Sequence, residues 1–179
     1  KEAHANLLAA VGPRPIAFAS TVDEDGRPNL SPYSYFNVFS TRPPVLIFSP
    51  NRRVRDNTVK DTLVNAEATG EVVINVVNYA LVQQMSLSST EYPTGVNEFE
   101  KAGLTPLPSD LVKPFRVKES PVQFECKVMN INKLGEQGGA GNLIMCEILK
   151  VHADESVLND QGIIDTTKLV LSGLWRRLI

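Results

Sequence analysis

"NLSPYSYFNVFSTRPPVLIFSP", residues 29–50, is the stretch on which the reading of the fold turns. It alternates like a β-strand, yet it crowds Ser31, Tyr33, Ser34, Tyr35, Phe36 and Asn37 together and stops at Pro43-Pro44 before a strongly apolar run. An ordinary buried strand carries fewer hydroxyls and no aromatic side chains facing both ways. A flat ligand with polar edges is expected to lie against it.

Working outward, "PIAFASTV" (15–22) is strand-like and "DEDGRP" supplies a turn in which Gly26 accommodates a positive φ. Residues 27–36 are then expected to return as the second strand of a hairpin. Residues 45–49 form a short apolar strand after the two prolines have forced extended backbone. A helix is predicted over 59–68 with Gly70 in the C′ position, and "VVINVV" (72–77) reads as a strand covered on both faces. Ala3, Leu7, Leu8 and Val11 recur at helical spacing, and residues 79–86 and the tail after Asp165 suggest two more short helices.

Residues 88–121, rich in Pro, Ser, Gly and Glu, are anchored by Phe99, Leu104, Leu107, Leu111 and Phe115, so a packed excursion is expected there. Residues 122–134 and 143–153 form a long strand pair around "GEQGGAG", which is read as a turn. Six or more strands without a βαβ rhythm indicate a mainly β, antiparallel barrel with peripheral short α-helices, in one domain spanning 1–179.

Composition narrows the function. A chain of 179 residues with 42% hydrophobic and 21% charged residues and a formal charge of −2 has the make-up of a soluble globular protein, not of a nucleic-acid-binding one. No stretch is apolar enough to span a membrane, and a cytoplasmic location is the default expectation. Cys126 and Cys146 lack metal-site spacing and are read as reduced core thiols; no metal site is expected. His4 is read as a solvated residue and His152 as a partly buried, hydrogen-bonded one. Neither accompanies a nucleophile signature.

The chemistry-bearing set is instead anion-binding. Arg52, Arg53 and Arg55 precede "NTVKDT", and Lys60, Asp61 and Thr62 fall where a helix begins. Two readings stand: the helix N-terminus, Lys60 and the Thr62 hydroxyl hold a phosphate, or Asp61 caps the helix and the arginines are solvated.

Residues 11–50, together with "VKDTLVNAEATGEVVINVV" (59–77), "EYPTGVNEFEKAGLTPLPSDLVKPFRVKESPVQFECKV" (91–128) and "CEILKVHAD" (146–154), resemble the flavin reductase-like family of FMN-binding split β-barrel proteins, the branch of flavoredoxin and of monooxygenase reductase components. The resemblance implies an antiparallel split barrel, a homodimer and one FMN per subunit reduced by NADH or NADPH. The electrons then pass to free flavin, a monooxygenase or another acceptor. It further implies that Tyr33, Ser34, Tyr35, Phe36 and Asn37 hold the flavin ring and ribityl chain, that Ser49 meets the ribityl-phosphate arm, and that Lys60, Asp61 and Thr62 lie at the phosphate with help from Arg52 or Arg53.

Arg14 approaches the flavin or nicotinamide, or else makes an ion pair at the dimer interface. Two features depart from the family: the ending "VLSGLWRRLI" replaces a Gly-Gly-aromatic segment, leaving Trp175 as its aromatic, and "GEQGGAG" is unusually glycine-rich. The expected function is an FMN-binding oxidoreductase, an NAD(P)H-dependent flavin reductase or flavoredoxin-like protein, whose flavin carries the chemistry without a catalytic acid or base. The alternative is a non-enzymatic FMN-binding electron carrier or flavin-storage protein. A related oxidase acting on pyridoxine phosphate or heme fits the motifs less well.

Overall fold

A computed structural model describes residues 2–90, 92–93 and 95–171. In chain order it contains helix α1 (Glu2–Ala10), strands β1 (Ala17–Val22), β2 (Pro28–Tyr33), β3 (Phe36–Thr41) and β4 (Pro44–Phe48), helix α2 (Asp61–Thr69) and strand β5 (Glu71–Val76). Helices α3 (Val82–Ser88) and α4 (Glu98–Ala102) and the short strands β6 (Pro106–Leu107) and β7 (Arg116–Val117) follow. Two long strands, β8 (Val122–Lys133) and β9 (Asn142–Ala153), and helix α5 (Thr166–Leu169) complete the order.

The expected barrel is present as an antiparallel seven-stranded sheet in the order β2-β1-β5-β8-β9-β4-β3. Strands β2 and β3 are its two edges, yet only Ser34 and Tyr35 separate them in the chain. The sheet must therefore curl until its edges approach, and the bend at Ser34-Tyr35 crosses the open seam. This is the split of the barrel. It also corrects the expectation of one strand over 27–36: alternation continues through the bend, but the hydrogen-bond partner changes from β1 to β4.

The barrel interior gathers side chains from both halves of the sheet, among them Ala17, Tyr33, Leu46, Phe48, Ile74 and Ile144. Helix α2 closes one side of it with Leu63 and Ala66, both 1% exposed. Burial of Leu63 alone stabilises this docking by about 1.5–3 kcal/mol. The helix stops where anticipated, at Gly70, whose φ of 70° places it in the left-handed region and whose N–H bonds the Ala66 carbonyl.

Outside the barrel, Phe18, Leu30 and Val77 pack against Leu81, Phe99 and Leu104, so every residue of β1 is buried. The excursion over 88–121 is thus packed, as expected, with one correction. Leu111 is 56% exposed, whereas Val112 and Val117 are buried. The Leu111 amide is held by the Glu125 carboxylate, which turns the Leu111 side chain outward while its backbone stays fixed. No helix among the described residues is long and apolar enough to cross a membrane.

Candidate functional site

The loop into α2 is ordered by its own polar groups. Asp56 accepts from the Thr58 amide at 3.0 Å and from its hydroxyl at 2.6 Å, contacts that hold its carboxyl at a pKa of about 2. Asn57 takes a left-handed φ of 57° and engages Arg52 through its side-chain and main-chain oxygens at 2.8 and 2.6 Å. Arg53 donates to Thr58 Oγ1 at 3.2 Å and to the Val59 carbonyl at 2.5 Å. Lys60 is the N-cap of α2, extended at φ −85°, ψ 149°, with no side-chain cap bond, and Asp61 is the first helical residue. Asp61 is therefore not the cap; its charge complements the positive end of the helix.

Lys60 Nζ sits 5.5 Å above the Tyr33 ring, a cation–π contact. Tyr33, Arg53, Lys60, Asp61 and Thr62 line one small polar cavity of about 40 Å³. Asn29, Ser31, Ser88, Ser89, Thr90, Tyr92 and Glu98 complete it.

Its floor is a chain of neutral groups, buried except for the partly buried Asn29: Tyr33 Oη donates to Thr62 Oγ1 at 2.8 Å, Asn29 Nδ2 donates to the same oxygen at 2.8 Å and to Thr21 Oγ1 at 3.0 Å, and Asn65 Nδ2 donates to Thr21 Oγ1 at 3.1 Å. Burial pushes the Tyr33 phenol up, so it remains a hydrogen donor. At the rim, burial also pushes up the Glu98 carboxyl, against the opposing effect of the Leu30 amide bonded to it at 3.1 Å.

The remaining expected residues occupy a second region. Tyr35, Phe36, Asn37 and Ser49 line an apolar cavity of about 220 Å³ with Ile47 and Phe48. The Ser49 amide bonds the Tyr35 carbonyl at 2.9 Å, tying the seam-crossing bend to the end of β4. On the other side, Phe36 and Asn37 help line a larger, mainly apolar cavity of about 590 Å³ with Arg14, Ile16, Val76 and Phe124.

Ser34 stands at the junction, its hydroxyl 3.5 Å from Arg14 Nε. Arg14 Nη1 also donates to the Leu8 and Val11 carbonyls at 2.5 and 2.6 Å, which fixes the guanidinium at the end of α1. The cationic group and the ring-wall group thus adjoin through Tyr33 and Ser34 without forming one continuous cavity.

"GEQGGAG" is more than a turn. The Gly139 amide bonds the Arg52 carbonyl at 3.0 Å and the Arg52 amide bonds the Ala140 carbonyl at 2.9 Å, so the glycine tip clamps the arginine loop. A Cβ on Gly138 would stand 3.0 Å from Val54 Cα and 3.1 Å from the Arg53 carbonyl oxygen, and one on Gly141 would stand 2.8 Å from Ser49 Oγ. The glycine run itself was the available signal, since glycine permits close backbone approach. Asn29 and Glu98 were missed because each reaches the cavity from a segment distant in sequence from the Lys60 loop, and no local pattern sets either apart. Arg52 lines a separate cleft with Lys133 and Gln137 and does not reach the Lys60 cavity.

A second polar cluster lies away from this site. His152 Nε2 is 2.6 Å from Glu125 Oε1, as its reading as a hydrogen-bonded residue anticipates. The thiols of Cys126 and Cys146 are free and buried, the latter pushed up to about 12 by burial. The side chain of His4 and all of Trp175 lie outside the described residues.

Comparison with known proteins places the chain. The model of the flavin reductase-like domain matches residues 11–170. An uncharacterized protein of Aquifex aeolicus is 41% identical over 154 residues, which cover 86% of this chain and 76% of the relative. Nitrilotriacetate monooxygenase component B from Bacillus cereus superposes with a TM-score of 0.87 at 28% identity, over 100% of this chain and 93% of that one. A split-barrel protein of Shewanella frigidimarina described as a flavin reductase superposes with a TM-score of 0.80 at 25% identity, over 98% and 87% of the two chains. This chain belongs to the flavin reductase-like domain family.

Proposed function

We propose that this protein is an FMN-binding oxidoreductase, an NAD(P)H-dependent flavin reductase or flavoredoxin-like electron-transfer protein. The observation that carries the reading is the junction of a cation-and-hydroxyl cavity at the start of α2 with the polar-edged wall of Ser34–Asn37. The donor set fits the group. A phosphate dianion needs positive charge and hydrogen donors, which Lys60, Arg53 and the Thr62 hydroxyl supply beside the N-terminus of a nine-residue helix. By helix geometry the Asp61 and Thr62 amides have no intrahelical acceptor and are available to the same oxygens.

A flat ring needs an apolar wall with polar edges, supplied by Tyr35, Phe36 and the Ser34 hydroxyl; Ser49 lies between wall and loop. FMN, when bound, supplies the hydride- and electron-accepting chemistry. The protein residues hold the phosphate, orient the ring and exclude water from its apolar side. Arg14, fixed at the end of α1, presents its guanidinium edge to the Ser34 side of that wall.

The exposed Val38 and Phe39 on the edge strand β3, next to the wall, support a second copy of the chain packing there as a homodimer. By analogy with the component B protein, a monooxygenase is a suitable recipient of the reduced flavin.

The test is direct. Purified protein supplied with FMN oxidises NADH or NADPH well above the flavin-only rate; no acceleration with either nicotinamide leaves the electron-carrier reading in its place. Lys60→Ala removes a charge-assisted contact of roughly 1.5–3 kcal/mol, so FMN affinity falls by about one to two decades while riboflavin, lacking the phosphate, is held as before. Equal FMN affinity in this variant overturns the phosphate assignment.

A further inference from the structure

We infer that Asn29 is a positioning residue for the flavin phosphate, acting by fixing the direction of the Thr62 hydroxyl. The inference rests on the proposed phosphate site and goes beyond it by assigning a part to a residue that does not itself carry charge. A threonine hydroxyl has one hydrogen to donate and two lone pairs to accept with. At Thr62 both lone pairs are occupied: Asn29 Nδ2 and Tyr33 Oη each direct a hydrogen at Oγ1 from 2.8 Å. The single hydrogen of Thr62 is therefore excluded from both neighbours and turns toward the third direction, the cavity beneath Lys60 and Arg53.

Burial makes this orientation firm. Thr62 and Thr21 are 0% exposed, Tyr33 and Asn65 are each 6% exposed and Asn29 is partly buried, so bulk water has little access to the chain. Asn29 occupies the middle of the chain because its amide nitrogen carries two hydrogens, one for Thr21 Oγ1 and one for Thr62 Oγ1. Asn65 Nδ2 also donates to Thr21 Oγ1, at 3.1 Å, so the Thr21 end of the chain is held from α2 as well as from β2.

An acceptor at position 29 would reverse the polarity and draw the Thr62 hydrogen inward, away from an anion. The arrangement is thus a ready-made donor: a hydroxyl that needs no reorientation when a phosphate arrives. Its contribution is specific to the phosphate and does not extend to the proposed ring wall, whose residues Tyr35, Phe36 and Asn37 line a separate cavity.

The experiment is a double-mutant cycle read by flavin-fluorescence titration of apoprotein with FMN and with riboflavin. Asn29→Leu removes both donors without adding charge and is expected to weaken FMN about five-fold, the loss of roughly 1 kcal/mol of hydrogen bonding, and riboflavin less than two-fold. Thr62→Val also lowers the FMN-to-riboflavin preference, and adding Asn29→Leu to it changes that preference less than two-fold further.

Where Asn29→Leu does not give a cooperative urea transition, Asn29→Ser, too short to reach Thr62, takes its place with the same expectation. Equal weakening of FMN and riboflavin by the Asn29 change, or a full effect of that change in the Thr62→Val background, overturns the inference. An unchanged preference in the Asn29 variant alongside a lowered one in Lys60→Ala removes the inference and leaves the phosphate site. An unchanged preference in both Lys60→Ala and Thr62→Val removes the site itself.

Discussion

Two buried polar networks can be compared within this one fold. Beneath Lys60, the chain Asn65–Thr21–Asn29–Thr62–Tyr33 is made of neutral groups, and Thr62 and Tyr33 at its end line a cavity. In the second network, the carboxylate of Glu125, 0% exposed, has three close partners: Oε1 accepts from the Asp110 amide at 2.8 Å and lies 2.6 Å from His152 Nε2, while Oε2 accepts from the Leu111 amide at 2.7 Å. Arg116 Nε stands 4.0 Å away, and Asp110 is tied to Lys150 at 2.5 Å. The charged network is closed and fastens the long excursion to the barrel; the neutral one is open at one end, where the proposed phosphate site lies. Charge and clustering alone would single out the Glu125 region; what separates the two is that its carboxylate is already held by protein donors, whereas the cavity beside Thr62 is lined by cations and hydroxyls.

The largest effect is expected at the closed network. Glu125→Ala leaves the Asp110 and Leu111 amides without their acceptor, at roughly 1–3 kcal/mol for each orphaned donor. A loss of about 3–5 kcal/mol in urea denaturation is therefore expected, with FMN affinity changed less than two-fold. A loss of flavin affinity matching that of Lys60→Ala would break the comparison, because the cluster would then belong to the site.

The pH dependence sharpens it. Burial alone would raise the Glu125 carboxyl, but the two amides and His152 outweigh burial and hold it below the usual glutamate range. A group depressed in the folded state adds stability that is complete above its unfolded value and is lost as pH falls through the folded one. Stability should thus decline as pH drops below about 4.5, the ordinary glutamate value, and Glu125→Gln should flatten that decline. An equally steep decline in the Gln variant would assign the acid sensitivity to other carboxylates.

How far these networks can be read in the sequence follows from the range of the forces involved. Local signals identify the hairpin turn at Gly26, the end of α2 at Gly70 and the paired long strands, because turn chemistry and period-2 alternation act over a few residues. The break at Ser34-Tyr35 leaves no local mark: the same alternation runs through it, and only the long-range pairing of β3 with β4 decides where one strand ends. The cationic half of the site is legible for a related reason, since "RRVRDNTVKDT" is contiguous. Asn29 and Glu98 join the same cavity from β2 and α4, and Leu111 yields its anchoring place to Val112 because a carboxylate in β8 captures its amide. Such contacts belong to the folded barrel and not to any window of sequence.

An intermediate effect is expected where the glycine tip meets the arginine loop. In Gly138→Ala the new Cβ meets backbone atoms of Arg53 and Val54, which cannot rotate aside. Overpacking of this kind costs roughly 1–3 kcal/mol. The displaced loop carries Arg53, so FMN affinity falls as well. Gly135→Ala, whose Cβ would meet only the Ala140 side chain at 3.4 Å, is the control and should change neither quantity appreciably. Equal behaviour of the two variants in urea and FMN titrations would dismiss the clamp.

The smallest effect is expected at the open network, in Tyr33→Phe. The ring that underlies Lys60 is retained, so the cation–π contact at 5.5 Å is preserved, and what is lost is the phenol oxygen with its contacts to Thr62 and Ser31. Removal of one neutral hydrogen bond costs about 0.5–1.5 kcal/mol, well below the expectation for Glu125→Ala. Its consequence for binding is selective: with one lone pair of Thr62 left vacant, the hydroxyl can turn partly away from the cavity, and FMN weakens a few-fold while riboflavin does not. Were Tyr33→Phe to destabilise the fold as severely as Glu125→Ala and weaken both flavins alike, the neutral chain would be a second structural fastening, and the contrast between a closed and an open network would disappear.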